Sequence, residues 1–194
     1  MQIELECKLH VTSHAPTREK LRQLGARFIG TVQETNTLFD LADRALQHSD
    51  RGLRVRSIVV LEGESRKSTL TYKGPRMPGP FKRREEIEVR IDDTAAMAAI
   101  LRALGYAERI IFEKRRESWV LGPCRIELDE LPRLGLFVEI EGPDDSAVRS
   151  ALAALGLSEA ASIIDTYVAM VATLAGPDEF RPVELRFDHR KTSP

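Results

Sequence analysis

The stretch Ile3-Glu4-Leu5-Glu6-Cys7-Lys8-Leu9 decides how the rest of the chain is read. Side chains of a strand alternate between its two faces. Glu4, Glu6 and Lys8 therefore share one face, and Ile3, Leu5, Cys7 and Leu9 the other. One apolar and one charged face ordinarily mean core on one side and water on the other. A single Glu-x-Glu-x-Lys carries little weight; what matters is that the alternation keeps returning.

Leu53-Arg54-Val55-Arg56 resumes it before the apolar Ile58-Val59-Val60-Leu61. Thr69-Leu70-Thr71-Tyr72-Lys73 then reads as a hairpin partner across a polar turn at 62–67. Arg84, Glu86, Glu88 and Arg90 alternate with Ile87, Val89 and Ile91. A strand over 110–121 puts Lys114 and Arg116 on one face, and after Gly122-Pro123 the acids Glu127 and Asp129 alternate with Cys124, Ile126 and Leu128. Glu139 and Glu141 lie opposite Val138 and Ile140. Two more strands are expected over 26–31 and 35–41, the second with Asn36, Leu38 and Asp40 on one side. A loop is expected over 74–80, which holds three prolines and two glycines.

Helical spacing fills the gaps. A helix over 16–25 has Leu21 and Leu24 on one face and stops at Gly25. Thr94 is expected to cap a helix whose Met97, Leu101 and Leu104 face the core. A third over 144–156 carries the stripe Val148, Leu152 and Leu155, and a fourth over 163–174 is apolar enough to be well buried. Three times a strand bearing Glu-x-Glu leads to a helix ending Leu-x-x-Leu-Gly, at Gly25, Gly105 and Gly156. The unequal spacings mark a recurring strand–helix unit and not a solenoid. The expected organisation is one domain over 1–175 and a polar tail or lid over 176–194.

With 194 residues, 42% of them hydrophobic, the chain can bury a sizeable core. Its 29 basic and 30 acidic residues leave a net charge of -1, so no global field points to nucleic acid or membrane. The two cysteines, Cys7 and Cys124, sit on apolar faces and read as packed thiols, not as a disulfide framework or metal site. No apolar run reaches membrane length and no basic-then-apolar leader opens the chain, so a cytoplasmic setting is expected. His10, His14, His48 and His189 read as surface or turn residues and Trp119 as core. Monomer and homodimer are both left open.

The charged faces fit two arrangements. An antiparallel sheet could rest one face on helices and show the other to water. About eight strands could instead close into a barrel with the charges inside. Periodicity does not separate them. Burying so many charges needs mutual pairing and bound ions, so the closed form implies a wet tunnel that binds something polyvalent.

The pieces Glu4-Leu5-Glu6-Cys7-Lys8, Leu53-Arg54-Val55-Arg56, Thr71-Tyr72-Lys73-Gly74-Pro75, Arg84-Glu85-Glu86-Ile87-Glu88, Lys114-Arg115-Arg116, Glu127-Leu128-Asp129 and Glu139-Ile140-Glu141 follow one another in order. Together they resemble the CYTH superfamily, the triphosphate tunnel metalloenzymes. That superfamily includes class IV adenylate cyclases, thiamine triphosphatases and inorganic triphosphatases. The resemblance implies an α+β fold: a closed eight-stranded antiparallel barrel forming a tunnel, with helices packed outside. It implies triphosphate binding by Arg54, Arg56, Lys73, Lys114 and Arg116, together with Arg84. It implies Mg²⁺ or Mn²⁺ held by Glu4, Glu6, Glu127, Asp129, Glu139 and Glu141. Lys8, Glu86 and Glu88 take catalytic roles, with Glu86 and Glu88 equally suited to holding the cations in place. Tyr167 matches a position where members of the superfamily often carry a tyrosine, and packing is its expected job.

Three functions are weighed: a triphosphatase with water as nucleophile, an adenylate cyclase using the ribose 3′-hydroxyl, and a non-catalytic polyphosphate- or nucleotide-binding module. The full carboxylate set argues against simple binding. Class IV cyclases usually carry a His-Phe pair several residues before the first Glu, where this sequence has Met1-Gln2-Ile3. The expectation is hydrolysis of inorganic, thiamine or nucleoside triphosphate.

Overall fold

The computed structural model describes residues 2–61, 65–158, 160–175 and 182–188. Its strands are β1 (Gln2–Val11), β2 (Arg27–Asp40), β3 (Gly52–Val60), β4 (Arg66–Met77), β5 (Lys82–Arg90), β6 (Ala107–Leu121), β7 (Cys124–Leu131), β8 (Gly135–Glu141) and β9 (Val183–Leu185). The helices are α1 (Ala15–Gln23), α2 (Ala45–His48), α3 (Thr94–Ala103), α4 (Asp145–Leu155) and α5 (Tyr167–Ala175).

Eight strands pair antiparallel in the order β2-β3-β4-β5-β1-β8-β7-β6, and β2 pairs with β6 to close the ring. The closed arrangement is the one the chain adopts. Register carries one face all the way round: Glu4 opposes Arg84, Lys73 opposes Glu86, Asn36 opposes Arg56, Arg116 opposes Asp129 and Lys8 opposes Glu139. The other face supplies the main core outside the barrel. Leu5, Cys7, Leu9, Ile126, Leu128, Val138 and Ile140 pack there with Leu21 of α1 and with Val148, Leu152 and Leu155 of α4. Each fully buried side chain of this kind contributes about 1.5–3 kcal/mol of transfer free energy. Phe39, Val55 and Leu101 form a second cluster under α3. Cys7 and Cys124 are buried free thiols.

Several expectations are corrected. The two strands expected over 26–31 and 35–41 are one long strand, β2. The ladder with β6 runs unbroken from Gly30 to Leu38, straight through 32–34, and its irregularities lie elsewhere, between Phe28 and Gly30 and between Leu38 and Phe39. β4 does not stop at Lys73 but runs through Gly74-Pro75 to Met77. A register shift between Lys73 and Arg76 lets Pro75 sit where no ladder N–H is required. Asp93, not Thr94, caps α3, its carboxylate accepting from the Ala95 and Ala96 amides at 2.9 Å each. Leu24 and Leu104 follow the last turns of α1 and α3 and stay exposed, because the stripe ends one turn earlier at Leu21 and Leu101. α5 starts at Tyr167 rather than Ile163. Thr166 caps it by accepting from the Ala169 amide, and the residues before it form an extended strap whose Ile163 amide donates to the Lys8 carbonyl.

The C-terminal stretch contributes β9, parallel to β6 at Ile110–Phe112. Residues 176–181 and 189–194 lie outside the described residues, as do 62–64 of the expected turn. No described helix is long and apolar enough to cross a membrane.

Candidate active site

The face shared around the ring is the barrel interior, and its chemistry changes along its depth. At one end Phe112, Leu131 and Phe137 pack against Tyr167 and Val171 of α5 and Leu185 of β9. That end is closed. Exposure rises toward the other: Lys114 and Asp129 are almost wholly buried, Lys73 and Glu86 about one-fifth exposed, and Glu88 46% exposed.

In the deep layer Asp129, on β7, gathers three partners. Lys114 Nζ lies 3.1 Å from it, Arg116 donates two hydrogen bonds at 2.7 and 2.6 Å, and the Tyr167 hydroxyl donates at 3.0 Å. Arg116 also pairs with Glu139 at 2.5 Å. Lys8 Nζ sits 3.7 Å from Glu139, donates to the Asp165 carbonyl at 2.8 Å and lies 3.9 Å from the centre of the Tyr167 ring. Burial lowers the Lys8 amine below the ordinary lysine range. Burial alone would raise the Glu139 carboxyl, but Arg116, Lys114, Lys8 and Lys82 hold it well below its usual value. The Tyr167 hydroxyl is pushed far up by burial and by Asp129.

The middle and outer layers carry the remaining candidates. Arg56 donates to Asn36 Oδ1 at 2.8 Å and pairs with Glu34 at 3.2 Å; Lys114 reaches Glu34 at 3.5 Å. Arg54 contacts Thr71 Oγ1 at 3.3 Å and Glu88 at 4.0 Å, while Thr71 donates to Glu88 at 2.8 Å. Burial and the neighbouring Arg56 charge lower the Arg54 guanidinium to about 10. Lys73 bridges Glu4 at 2.8 Å and Glu86. Lys82 pairs with Glu6. Glu127 accepts from Ser118 at 2.5 Å and sits 3.9 Å from Arg116 and 3.3 Å from Arg125. Glu141 is raised to about 7 by burial and by the nearby Glu4, an acid crowded by acids.

Fourteen of the fifteen sequence-assigned residues are thus gathered by mutual pairing or mutual electrostatics: Glu4, Glu6, Lys8, Arg54, Arg56, Lys73, Glu86, Glu88, Lys114, Arg116, Glu127, Asp129, Glu139 and Glu141. Arg84 stands apart. Its guanidinium donates to the carbonyls of Asp50 and Gly74 at 2.7 and 2.9 Å and to the Asp50 carboxylate at 2.6 Å, pinning the turn after α2 to the β4 bulge. Among the described residues no three His, Cys, Asp or Glu side chains already converge as a metal would require, because the acids reach to lysines and arginines instead.

Sequence reasoning missed Glu34, Lys82, Ser118 and the hydroxyl role of Tyr167. Lys82 was findable, since it precedes Arg84, Glu86 and Glu88 by the strand period of two. Glu34 fell in the gap between two strands that are one.

Comparison with known proteins gives a consistent family. A sequence model described as the CYTH domain matches residues 2–167. The Methanocaldococcus jannaschii protein named "Putative adenylate cyclase MJ0240" is 34% identical over 139 residues, covering 72% of this chain and 76% of that one. Among solved structures, the PH1819 protein of Pyrococcus horikoshii OT3 is similar with a TM-score of 0.74 at 27% identity, covering 86% of this chain and 97% of that one. The Hippeastrum protein named "Putative adenylyl cyclase HpAC1", described as having a dominant triphosphatase activity, is similar at a TM-score of 0.64 and 19% identity. That alignment covers 88% of this chain and 94% of the Hippeastrum one, and at this identity the likeness is one of fold.

Proposed function

The chain belongs to the CYTH domain family, and from that premise we propose that it is a metal-dependent triphosphatase holding its substrate in the charged barrel interior. The observation that carries the reading is the division of that interior. Cations of β3, β4 and β6 (Arg54, Arg56, Lys73, Lys114 and Arg116) meet acids of β1, β7 and β8 there, with Lys8 of β1 and Lys82 of β5 among the acids and Glu34 of β2 among the cations. A triphosphate needs several cations to balance it, Arg binding its oxygens in pairs. The acids are hard oxygen donors, the kind that Mg²⁺ and Mn²⁺ take. Their crowding around Glu141 is the condition a divalent ion relieves, so the donor set fits such a metal in kind and charge. Glu4, Glu6, Glu139 and Glu141 would hold it, with Glu127 and Asp129 beside them. When bound, such an ion neutralises phosphate charge and makes a bound water a better nucleophile.

The chain's own residues then have separable tasks. Phosphoryl transfer asks mainly for positioning and charge stabilisation. Arg54, Arg56 and Lys73 bind and orient the phosphates; Glu86 and Glu88 hold Lys73 and Arg54 in place for it. Lys114 and Arg116, fixed by Asp129 and Glu139, supply preset positive charge in the deep layer. Lys8, with its lowered amine and its bond to the Asp165 carbonyl, places a proton-bearing group 3.9 Å from the Tyr167 ring centre, beside the closed end. α5 excludes water from that end, so a substrate enters phosphate first.

Hydrolysis is favoured over cyclisation because cyclisation must hold a ribose and its base as well, a positioning effect worth about 7–11 kcal/mol. A purine seeks aromatic or apolar surface. The interior's Phe112 and Phe137 already pack with Tyr167, and the open end presents Lys73, Glu4, Glu86, Glu88 and Arg54. The name of the Methanocaldococcus jannaschii relative favours the second reading, an adenylate cyclase. Orthophosphate release from inorganic triphosphate, thiamine triphosphate and ATP, each with Mg²⁺, Mn²⁺ or excess chelator, is the test. Metal-dependent release is expected; release unaffected by chelator, or none from any substrate, overturns the proposal.

A further inference from the structure

Three buried donor atoms on one wall of the interior have no hydrogen-bond partner, Asn36 Nδ2, Thr69 Oγ1 and Arg54 Nε; the fourth such atom on that wall, Glu34 Oε2, is an acceptor in an ion pair with Lys114 at 3.5 Å. Unpaired buried donors are costly and rare in folded proteins. These three are neighbours. Asn36 opposes Arg56 and Arg56 opposes Thr69, so one row of the register crosses β2, β3 and β4 on the inner face. Arg54, two residues from Arg56, opposes Thr71 in the adjacent row. Asn36 is wholly buried and Thr69 is 8% exposed.

The surrounding bonds show which parts of these side chains remain available. Asn36 uses its carbonyl oxygen to accept from Arg56 Nε, which leaves the amide NH₂ as the unpaired end. Arg54 spends an Nη on Thr71 and lies at the 4.0 Å limit from Glu88, a partner half in water. The neighbouring strand β6, which pairs with β2, differs: Asp129 and Glu139 hold Arg116, and Asp129 and Glu34 hold Lys114. The β2–β4 wall thus joins the least compensated arginine to an amide, a hydroxyl and a guanidinium N–H, each able to donate. Such a set recognises an anion with several acceptor oxygens. A carboxylate offers two; a phosphoryl group offers three.

We infer that Asn36, Thr69 and the Nε of Arg54 form a donor pocket for one phosphoryl group, and that this pocket makes the interior prefer a triphosphate to a diphosphate. The inference rests on the triphosphate reading above and deepens it by naming neutral specificity-determining side chains. A pyrophosphate held by Lys73 and Arg56 leaves the pocket unused, whereas the third phosphoryl group of a triphosphate reaches it.

The test is calorimetric titration of the full chain with inorganic triphosphate and with pyrophosphate, in chelator so that nothing turns over. T69V removes the hydroxyl and keeps the shape. N36D keeps the oxygen that accepts from Arg56 and replaces the donor by an acceptor. Each variant should weaken triphosphate binding by about tenfold, the scale of one hydrogen bond to a charged group, while shifting pyrophosphate by less than about twofold. T69S should restore the wild-type preference. Equal losses for both ligands, or no loss for either, overturn the pocket. Absence of orthophosphate release by the wild type in a separate assay with Mg²⁺ or Mn²⁺ would instead overturn the hydrolase reading, a separate result from the binding ratio. Thermal unfolding of each variant keeps a folding defect distinct from a lost contact.

Discussion

Replacing Glu141 by glutamine isolates the acid crowding at the acidic side of the barrel. Glu141 is raised from 4.5 to about 7 because burial and the Glu4 and Glu6 charges disfavour its ionised form. The sign follows from linkage. A carboxyl whose folded value is raised binds its proton more tightly in the folded chain, so its cost is absent below the unfolded value. That cost grows as pH climbs from 4.5 toward about 7 and is complete above it. At about 1.36 kcal/mol per pH unit the full difference approaches roughly 3 kcal/mol, and partial exposure to water reduces it to about 1–2 kcal/mol. Glutamine keeps the shape and cannot ionise. Without metal, E141Q should match the wild type near pH 5 and melt about 2–8 °C higher near pH 8.5. Excess Mg²⁺ should narrow the gap by raising the wild type more than the variant, since the ion supplies the charge that Glu141 lacks. Thermal unfolding by circular dichroism in chelator, then with Mg²⁺, reads both effects. An advantage of equal size at both pH values would falsify the crowding argument, as would a less stable variant at high pH.

Other perturbations test the remaining parts. E139Q takes charge from the residue that pairs with Arg116 and Lys8, and should lower turnover on the order of a hundredfold or more with little change in the circular dichroism spectrum. An unchanged rate would count against Glu139 as a working group. R54A and K73A should weaken triphosphate binding more than monophosphate binding by equilibrium titration; equal losses would make both side chains structural. Y167F deletes the hydroxyl that donates to Asp129 and should cost about 1–3 kcal/mol of stability in denaturant unfolding. No loss there would mean that α5 is held by apolar packing alone.

Much of the interior was legible in the sequence because a strand shows its inward residues at a fixed period of two. That Glu4, Glu6 and Lys8 share one face, and likewise Glu139 and Glu141, follows from that period alone. Closure does not, since it depends on β2 pairing with β6, segments such as Glu34 and Lys114 that lie far apart in the chain. No local pattern encodes that meeting, and resemblance supplied it. Arg84 illustrates a different limit. It lies on the inner face in register with Glu4, yet its guanidinium is committed to Asp50 and Gly74, partners created by a turn and a bulge that periodicity does not foresee. Tyr167 illustrates a third: its apolar setting was readable, but its hydroxyl partner Asp129 belongs to another element. Leu24 and Leu104 followed the helical pattern and still emerged into water, because each helix ends before they reach the core.

The central claim is that the interior transfers a phosphoryl group to water. Purified protein incubated with ATP and Mg²⁺ or Mn²⁺, beside inorganic and thiamine triphosphates, gives the most direct measurement once products are resolved as orthophosphate, pyrophosphate and cyclic AMP. The account predicts orthophosphate, released faster from a non-nucleotide triphosphate than from ATP. Cyclic AMP and pyrophosphate appearing from ATP in equal amounts would contradict it and identify a cyclase.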